Sequence, residues 1–305
     1  MLRIAILALT FTASLSAAQP LTLQLWPHGA PGETENLGAG KNTTKPSDNL
    51  VGGKSVIRLG DVGDPKITVY LAANPAATHP AIVVFPGGGY YILAMDLEGT
   101  EICRWLNAQG ITAVLLKYRV PRRKGRPVYE AALQDAQRAI SLVRHHAKQW
   151  HIAPNRIGVL GFSAGGDLAA LVSTRFNERS YAPIDAADGV SCRPDFAALV
   201  YPAYLTKPPG SDKLAPELTV SSQTPPTFLV QAEDDPVHVE NSLFYYLALK
   251  RAHVPAEMHL FSKGGHGYGL RDTGAPVNRW PFELKAWLAC NLKILPGDRC
   301  TVAAE

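Results

Sequence analysis

The sequence predicts an α/β fold in which a mostly parallel sheet is covered by helices on both faces. Short, continuously apolar runs, which are typical of strands buried on both faces, occupy residues 81–85, 111–117 and 157–160. Residues 129–149 lie between the second and third runs and show helical apolar periodicity. Strands that alternate with helices form parallel sheets, because each crossover helix packs back onto the sheet.

Length and composition favour one large core. The chain has 305 residues, of which 46% are hydrophobic, so we expect a single α/β domain over residues 19–305. Residues 1–18 have the features of a signal peptide, with Arg3 before an apolar run and small residues at the end. The apolar run is too short to span a bilayer. We therefore expect a secreted or periplasmic protein without a membrane span.

The first part of the mature chain is irregular. Residues 19–53 are rich in Pro, Gly, Asn and Thr and predict a surface arm, with one short strand near residues 21–26. Two strand candidates follow at residues 55–59 and 66–72, and the connection between them is rich in turn residues. An antiparallel hairpin at the edge of the sheet is the simplest interpretation.

Four cysteines suit an oxidising compartment, where disulfides persist. Cys290 and Cys300 lie near the C-terminus with a Pro-Gly turn between them, so we favour this pair as a disulfide. Cys103 and Cys192 have unlike surroundings and are expected to be free and buried. Four cysteines allow three pairings, and the sequence does not choose among them.

One basic run interrupts an otherwise even charge distribution. The net charge is +4, and residues 119–126 read RVPRRKGR. A solvated loop is the simple interpretation of this run. A single basic loop on a secreted chain argues against nucleic acid as a partner, whereas an acidic polymer substrate would suit it better.

The motif GFSAG at residues 161–165 follows a predicted buried strand and precedes an apolar helix start. This placement of G-x-S-x-G on a strand–turn–helix is typical of a nucleophile elbow. Ser163 would occupy the sharp turn, where side chains at Gly161 or Gly165 would crowd the backbone. The motif alone is a weak signal because Gly and Ser are common.

A glycine triplet, residues 87–89, follows the strand at residues 81–85. An oxyanion hole requires backbone N–H groups that are not covered by side chains, and glycines at a strand end provide them. A flexible turn or a phosphate-binding loop is the alternative, but neither phosphate-loop glycine pattern is present.

Acidic and histidine candidates follow two later strands. Asp234 and Asp235 come after the apolar run at residues 227–232, and His266 lies in a glycine-rich loop, GGHGYG. A serine hydroxyl needs an imidazole to take its proton and a carboxylate to orient that imidazole. The order Ser163, Asp, His266 is the order found in α/β-hydrolases. The residues themselves leave both aspartates open.

A metal site is not expected. His145, His146 and His151 lie near the end of the long predicted helix, but they lack the spacing of a ligand pair with a partner carboxylate. Positive side chains favour a helix C-terminus, which explains them adequately.

On these motifs the sequence resembles the α/β-hydrolase esterases, specifically the secreted acetyl xylan esterase and feruloyl-esterase-like group. The resemblance covers about residues 25–292. Relatives often have a histidine after the two glycines of the elbow, where this chain has Asp167. The matching pieces are PGGGY at residues 86–90, LKYR at 116–119, GFSAGG at 161–166, DDPVHVENS at 234–242 and GGHGYG at 264–269.

The resemblance implies an acyl-transfer mechanism that needs no metal or organic cofactor. His266 would deprotonate Ser163, which would attack an ester carbonyl. The motif around residues 234–242 implies that Asp234 is the triad acid, with Asp235 in a supporting role.

The resemblance also assigns the oxyanion hole. The backbone N–H groups of Gly88 or Gly89 and of Ala164 would hold the negative oxygen.

Three classes of function remain open from the sequence. The first is a carbohydrate esterase, or a feruloyl or general short-chain esterase, for which Tyr90, Tyr91 and Tyr204 are either sugar-stacking or packing residues. The second is a serine peptidase of the same fold, although the length leaves no room for a propeller domain. The third is a non-enzymatic binding module. Specificity is expected in residues 203–223 and in the arm, and nothing in the sequence sets the oligomeric state.

Overall fold

The computed structural model describes residues 19–73 and 78–295. The predicted signal peptide and Cys300 lie outside the described residues. Within them, the strands in chain order are β1 (Leu21–Gln24), β2 (Ala39–Asn42), β3 (Arg58–Val62), β4 (Lys66–Tyr70), β5 (His79–Phe85), β6 (Leu93–Ala94), β7 (Thr112–Lys117), β8 (Ile152–Phe162), β9 (Ala197–Val200), β10 (Thr227–Ala232) and β11 (Ala256–Phe261). The α-helices are α1 (Glu101–Ala108), α2 (Glu130–His145), α3 (Ala164–Thr174), α4 (Glu240–Arg251) and α5 (Trp280–Cys290).

The main sheet contains eight of these strands in the order β1-β4-β7-β5-β8-β9-β10-β11. β1 and β4 are antiparallel to their neighbours, and all pairs from β7 to β11 are parallel. The predicted mostly parallel sheet is therefore confirmed. Since parallel strands end at the same edge, the loops after β5, β8, β10 and β11 meet there.

Helices cover both faces of the sheet, as the alternation of elements predicts. Val83 of β5 packs in the same cluster as residues of α2, α3 and α4. Its neighbours Ile82 and Val84 pack in the cluster that contains α1 and α5. The run at residues 81–85 is continuously apolar because successive side chains enter two different cores.

The predicted hairpin between residues 55–59 and 66–72 is wrong. β3 pairs with β2 and β6 in a separate three-stranded antiparallel sheet, whereas β4 pairs with β1 and β7 in the main sheet. The turn-rich connection allows the chain to leave one sheet and enter the other. The N-terminal arm supplies the partner in both cases, because β1 and β2 both belong to it.

Helix α2 is shorter than the predicted residues 129–149. Its polar side is buried as well as its apolar side. Gln134, Gln137 and Arg138 are each less than 5% exposed. The Gln137 side-chain amide donates to the Arg175 carbonyl oxygen at 3.0 Å, and Arg138 donates to Asp185 at 2.7 Å. The polar face therefore binds the loop that follows α3 instead of facing solvent.

Cys103 and Cys192 are free and buried, as expected. Cys290 forms a disulfide, and its predicted partner Cys300 lies outside the described residues. Over residues 19–73 and 78–295, no helix is long and apolar enough to cross a membrane.

Candidate active site

Ser163 occupies a sharp turn between β8 and α3. Its backbone angles are φ 53° and ψ −118°, a strained conformation for a residue with a side chain. A Cβ at Gly161 would lie 1.9 Å from the Gly165 carbonyl oxygen, and a Cβ at Gly165 would lie 2.0 Å from the Phe85 carbonyl oxygen. Both glycines are therefore required by close backbone packing, as the motif predicts.

The structure brings Ser163 and His266 together. The Ser163 hydroxyl oxygen lies 2.8 Å from His266 Nε2. The other ring nitrogen, Nδ1, lies 3.0 Å from each carboxylate oxygen of Asp235. With the ring proton on Nδ1, the imidazole donates to the carboxylate and Nε2 accepts from the serine. This is the arrangement of a nucleophile, a base and an orienting acid.

The prediction that Asp234 orients His266 is wrong. The side chain of Asp235 is fully buried beside the imidazole, whereas Asp234 is exposed. Asp234 accepts from the backbone N–H groups of Gly264 and Gly265 at 2.9 and 2.8 Å, and so it caps the loop that carries His266. The two aspartates thus have the opposite roles to those that the resemblance implied.

Two further donors fix the Asp235 carboxylate. The Val237 backbone N–H donates to Oδ1 at 2.8 Å, and the Gln231 side-chain amide donates to Oδ2 at 3.0 Å. The Ser242 hydroxyl in turn donates to the Gln231 oxygen at 2.6 Å. The carboxylate that faces His266 is therefore held by elements on both sides of the β10 end.

The glycine triplet lies beside Ser163, at the end of β5. A Cβ at Gly87 would lie 2.8 Å from the Ser163 Cβ, so the loop packs directly on the serine. The Gly87 N–H already donates to Glu98 at 2.7 Å. Gly88 and Gly89, which both line the cleft with Ser163, are thus the better sources of free backbone donors. Ala164 opens α3, where the first N–H groups have no partner within the helix.

Three buried side chains fix the glycine loop. Glu98 accepts from Gly87, as above, and Tyr118 donates its hydroxyl to the Pro86 carbonyl oxygen at 2.5 Å. Tyr90 donates its hydroxyl to Asp167 at 2.7 Å, which joins the loop to the first turn of α3. The loop is therefore preorganised relative to the elbow, as an oxyanion hole requires.

Asp167 lies in the first turn of α3, and its side chain is buried. It is 3% exposed, and burial raises the pKa of its carboxyl to about 8. Only one of its oxygens, Oδ2, is hydrogen-bonded among the described residues. The carboxyl is therefore mostly protonated at neutral pH.

Glu98 was not found by sequence reasoning. It is 3% exposed, and burial raises the pKa of its carboxyl. Besides Gly87 it accepts from the Tyr201 hydroxyl at 2.9 Å, and the Tyr201 ring contacts the His266 ring edge to face at 4.9 Å. Glu98 is one of three acidic residues at positions 96–101, around the predicted helix start. Acidic residues favour a helix N-terminus, so the sequence contains no signal for this role.

The arm forms one wall of the cleft. A cavity of about 350 Å³ contains Ser163 and His266 and is also lined by Asn49 and Val51 of the arm. Arg271, also missed from the sequence, fastens the arm to the histidine loop. Its guanidinium donates to the carbonyl oxygen of Val51 in the arm at 3.5 Å and to Glu101 of α1 at 2.8 Å.

The three tyrosines singled out in the sequence differ in exposure. Tyr90 is buried and packs on Tyr118 and Tyr204. Tyr91 is 50% exposed and Tyr204 is 42% exposed, beside the cleft. Packing therefore explains Tyr90, whereas the other two rings are available to a ligand.

Comparison with known proteins is consistent with this geometry. The BD-FAE family matches residues 67–191, which include the glycine triplet and the elbow. An acetylxylan esterase from Xylanibacter ruminicola is 33% identical over 241 residues, which are 71% of this chain and 46% of that protein. Endo-1,4-beta-xylanase B from Butyrivibrio fibrisolvens is 29% identical over 221 residues, 67% of this chain and 34% of that protein. The chain thus spans half or less of the length of these two relatives.

Solved structures are similar over a larger share of their length. An acetyl ester-xyloside bifunctional hydrolase from Caldicellulosiruptor lactoaceticus has a TM-score of 0.69 and 35% identity, covering 91% of this chain and 98% of that chain. An α/β-hydrolase enzyme from a Medee basin deep-sea metagenome library has a TM-score of 0.61 and 28% identity, covering 84% and 99%. The chain belongs to the α/β-hydrolase esterases of the acetyl xylan esterase type.

Proposed function

We propose that this protein is a serine carboxylic-ester hydrolase that removes acetyl groups from plant polysaccharide or oligosaccharide. The observation that carries the proposal is the chain of contacts from Ser163 to His266 at 2.8 Å and from His266 to Asp235 at 3.0 Å. The names of the relatives, an acetylxylan esterase and an acetyl ester-xyloside hydrolase, support the choice of substrate.

The mechanism follows from the positions of these groups. His266 Nε2 takes the hydroxyl proton as Ser163 attacks the ester carbonyl, and the imidazolium that forms is stabilised by the buried Asp235 carboxylate. The negative carbonyl oxygen is held by the N–H groups of Gly88 or Gly89 and of Ala164.

The sugar hydroxyl then leaves with the proton from His266, and an acetyl-serine remains. Water attacks this acyl-enzyme with His266 again as base, which releases acetate and restores Ser163. The residues present are sufficient for both half-reactions.

We also propose that the protein acts outside the cytoplasm, as a secreted or periplasmic enzyme. The residue pattern of positions 1–18 supports this. An insoluble polymer substrate would be consistent with export. N-terminal sequencing of the mature protein from culture medium or periplasm is expected to begin near residue 19, and an intact N-terminus in the cytoplasm would contradict the proposal.

The test compares the wild type with Ser163→Ala on p-nitrophenyl acetate, acetylated xylan and methyl ferulate. We expect Ser163-dependent release of acetate from acetylated xylan and weaker cleavage of the ferulate. Absence of serine-dependent hydrolysis of every ester would refute the enzymatic proposal. Cleavage of methyl ferulate in preference to acetylated xylan would instead support the feruloyl esterase alternative.

A further inference from the structure

The basic run at residues 119–126 divides into two pairs of arginines with different surroundings. Arg119 and Arg123 are buried, and their guanidinium groups contact Asp135 and Glu33 at 3.0 and 2.9 Å. These two arginines hold the arm and α2 in place. The other pair, Arg122 and Arg126, lines an open cavity of about 360 Å³.

This cavity adjoins the glycine loop. Tyr90 and Tyr204 line it, and Gly89, the residue before Tyr90, lines the cleft of Ser163. The Tyr204 hydroxyl and the Tyr91 ring each lie 3.5 Å from where a Cβ on Gly89 would be. The cavity and the cleft thus lie on either side of consecutive residues of the glycine loop, and a single extended ligand could occupy both.

The cavity has an excess of positive charge. Lys207 is paired with Glu217, so these two charges offset each other. In the part of the chain that the structure describes, no carboxylate lies within 4.0 Å of Arg122 or Arg126, and the Arg122 guanidinium carbon lies 4.7 Å from the centre of the Tyr91 ring.

The other ionisable groups that face the cavity do not cancel this charge. Asp167 has a pKa raised to about 8 by burial, so it is mostly neutral at pH 7. Burial also raises the pKa of Tyr90, Tyr129 and Tyr204, which stay neutral. Two guanidinium groups therefore remain without an anionic partner. Their planar donor sets match a carboxylate, which accepts two parallel hydrogen bonds.

We infer that this cavity is a subsite for a carboxylate carried by the sugar part of the substrate, such as a uronic acid residue near the acetylated position. The inference rests on the proposed function. An acetyl group has no carboxylate, so the anion must belong to the sugar. A volume of about 360 Å³ lies at the small end of ligand sites, which suits a single sugar unit.

The test compares acetylated xylo-oligosaccharides with and without a glucuronic acid branch. We expect the wild type to prefer the acidic substrate by roughly 10-fold in kcat/KM at low salt, mainly through KM, and the preference to decrease as NaCl screens the charges. The double variant Arg122→Gln with Arg126→Gln is expected to lose most of this preference. Arg126→Lys is expected to keep part of it, because the charge remains.

Lys124→Gln is the matched control. Lys124 lies in the same loop and carries the same charge, but it is exposed and does not line the cavity. It should leave the ratio between the two substrates unchanged. Thermal melting of each variant separates a loss of binding from a loss of folding.

Failure of this inference is distinct from failure of the proposed function. If Ser163-dependent hydrolysis of p-nitrophenyl acetate is present but the two oligosaccharides react equally, the subsite is refuted and the esterase remains. An equal effect of Lys124→Gln and the arginine variants would also refute it. So would a preference for an ester whose acyl group, and not its sugar, carries the carboxylate.

Discussion

The identity of the residue that orients His266 can be tested with one matched pair of variants, Asp235→Asn and Asp234→Asn. Both aspartates lie in one loop, and each change removes one charge while keeping the size of the side chain. Asp235 contacts His266 Nδ1 with both oxygens at 3.0 Å, whereas Asp234 accepts from the backbone of Gly264 and Gly265.

The magnitude follows from the partners of Asp235. Val237 N–H donates to one of its oxygens and the Gln231 amide donates to the other. An asparagine must place its NH₂ group at one of these positions, and Val237 cannot turn its N–H away. The NH₂ group therefore takes the Gln231 side and also faces His266, where it favours the tautomer with the proton on Nε2.

That tautomer cannot accept the serine proton. In serine proteases, replacing the triad aspartate with asparagine lowers kcat about 10⁴-fold, which corresponds to about 5 kcal/mol of transition-state stabilisation. We expect a loss of this order for Asp235→Asn. Asp234→Asn keeps an oxygen for the two glycine N–H groups, so its loss should stay below about 10-fold.

The assay is steady-state hydrolysis of p-nitrophenyl acetate over a range of pH, with circular dichroism to verify folding. A larger loss of kcat for Asp234→Asn than for Asp235→Asn would refute the assignment. Equal small losses would show that neither carboxylate orients the base.

Three further predictions concern stability. The pKa of Asp167 is about 8 in the fold against an ordinary value of 3.8, so the folded state holds its proton more tightly. The free energy of unfolding should therefore decrease as pH rises from about 4 to about 8, by up to about 5 kcal/mol, and Asp167→Asn should abolish this part of the slope. Gly165→Ala, whose Cβ would lie 2.0 Å from a backbone oxygen, should destabilise by more than about 3 kcal/mol or prevent folding. Asp135→Ala removes the carboxylate that lies 2.9 Å from the buried Arg119 and leaves Glu33, at 4.0 Å, as its remaining ion-pair partner among the described residues, which should cost about 3–5 kcal/mol.

Urea denaturation measures all three effects. For Asp167, the free energy of unfolding is compared between pH 5 and pH 9. If it changes equally with pH in the wild type and in Asp167→Asn, burial does not raise the pKa of this carboxyl as argued. Gly189→Ala is the control for Gly165, since a Cβ there meets nothing within 4 Å. If the two variants unfold at similar urea concentrations, the close packing at Gly165 does not limit stability. For Asp135, the control is Lys41→Ala, which breaks an exposed pair with Asp61 and should change the stability by less than about 1 kcal/mol. If the Asp135 variant and its control lose equal stability, the buried ion pair of Asp135 with Arg119 contributes no more than an exposed one.

The sequence predicted those features that depend on local geometry. The turn at Ser163 needs no side chain at two flanking positions, and the glycines at those positions are visible in the motif itself. The strand at residues 81–85 is apolar at every position because both of its faces are covered. Such a run can be recognised in the sequence without knowing which strands and helices pack against it. The order of Ser163, an aspartate and His266 could be read in the same way.

The choice between Asp234 and Asp235 was decided only in three dimensions. Both aspartates lie in the turn that follows β10, and which of them faces His266 depends on how the loops after β10 and β11 meet. The resemblance gave the wrong member of the pair. No local property of the two aspartates distinguishes them.

The sequence by itself therefore determined the parallel α/β core, the nucleophile turn and the glycine loop, because steric and periodic patterns act over a few residues. Tertiary structure alone decided which aspartate meets the histidine and that Glu98 supports the glycine loop. It also decided that Arg119 and Arg123 are buried, whereas Arg122 and Arg126 face a cavity. The physical reason is the same in each case: the surroundings of a charged side chain are formed by other segments of the chain, which only the packed fold brings together.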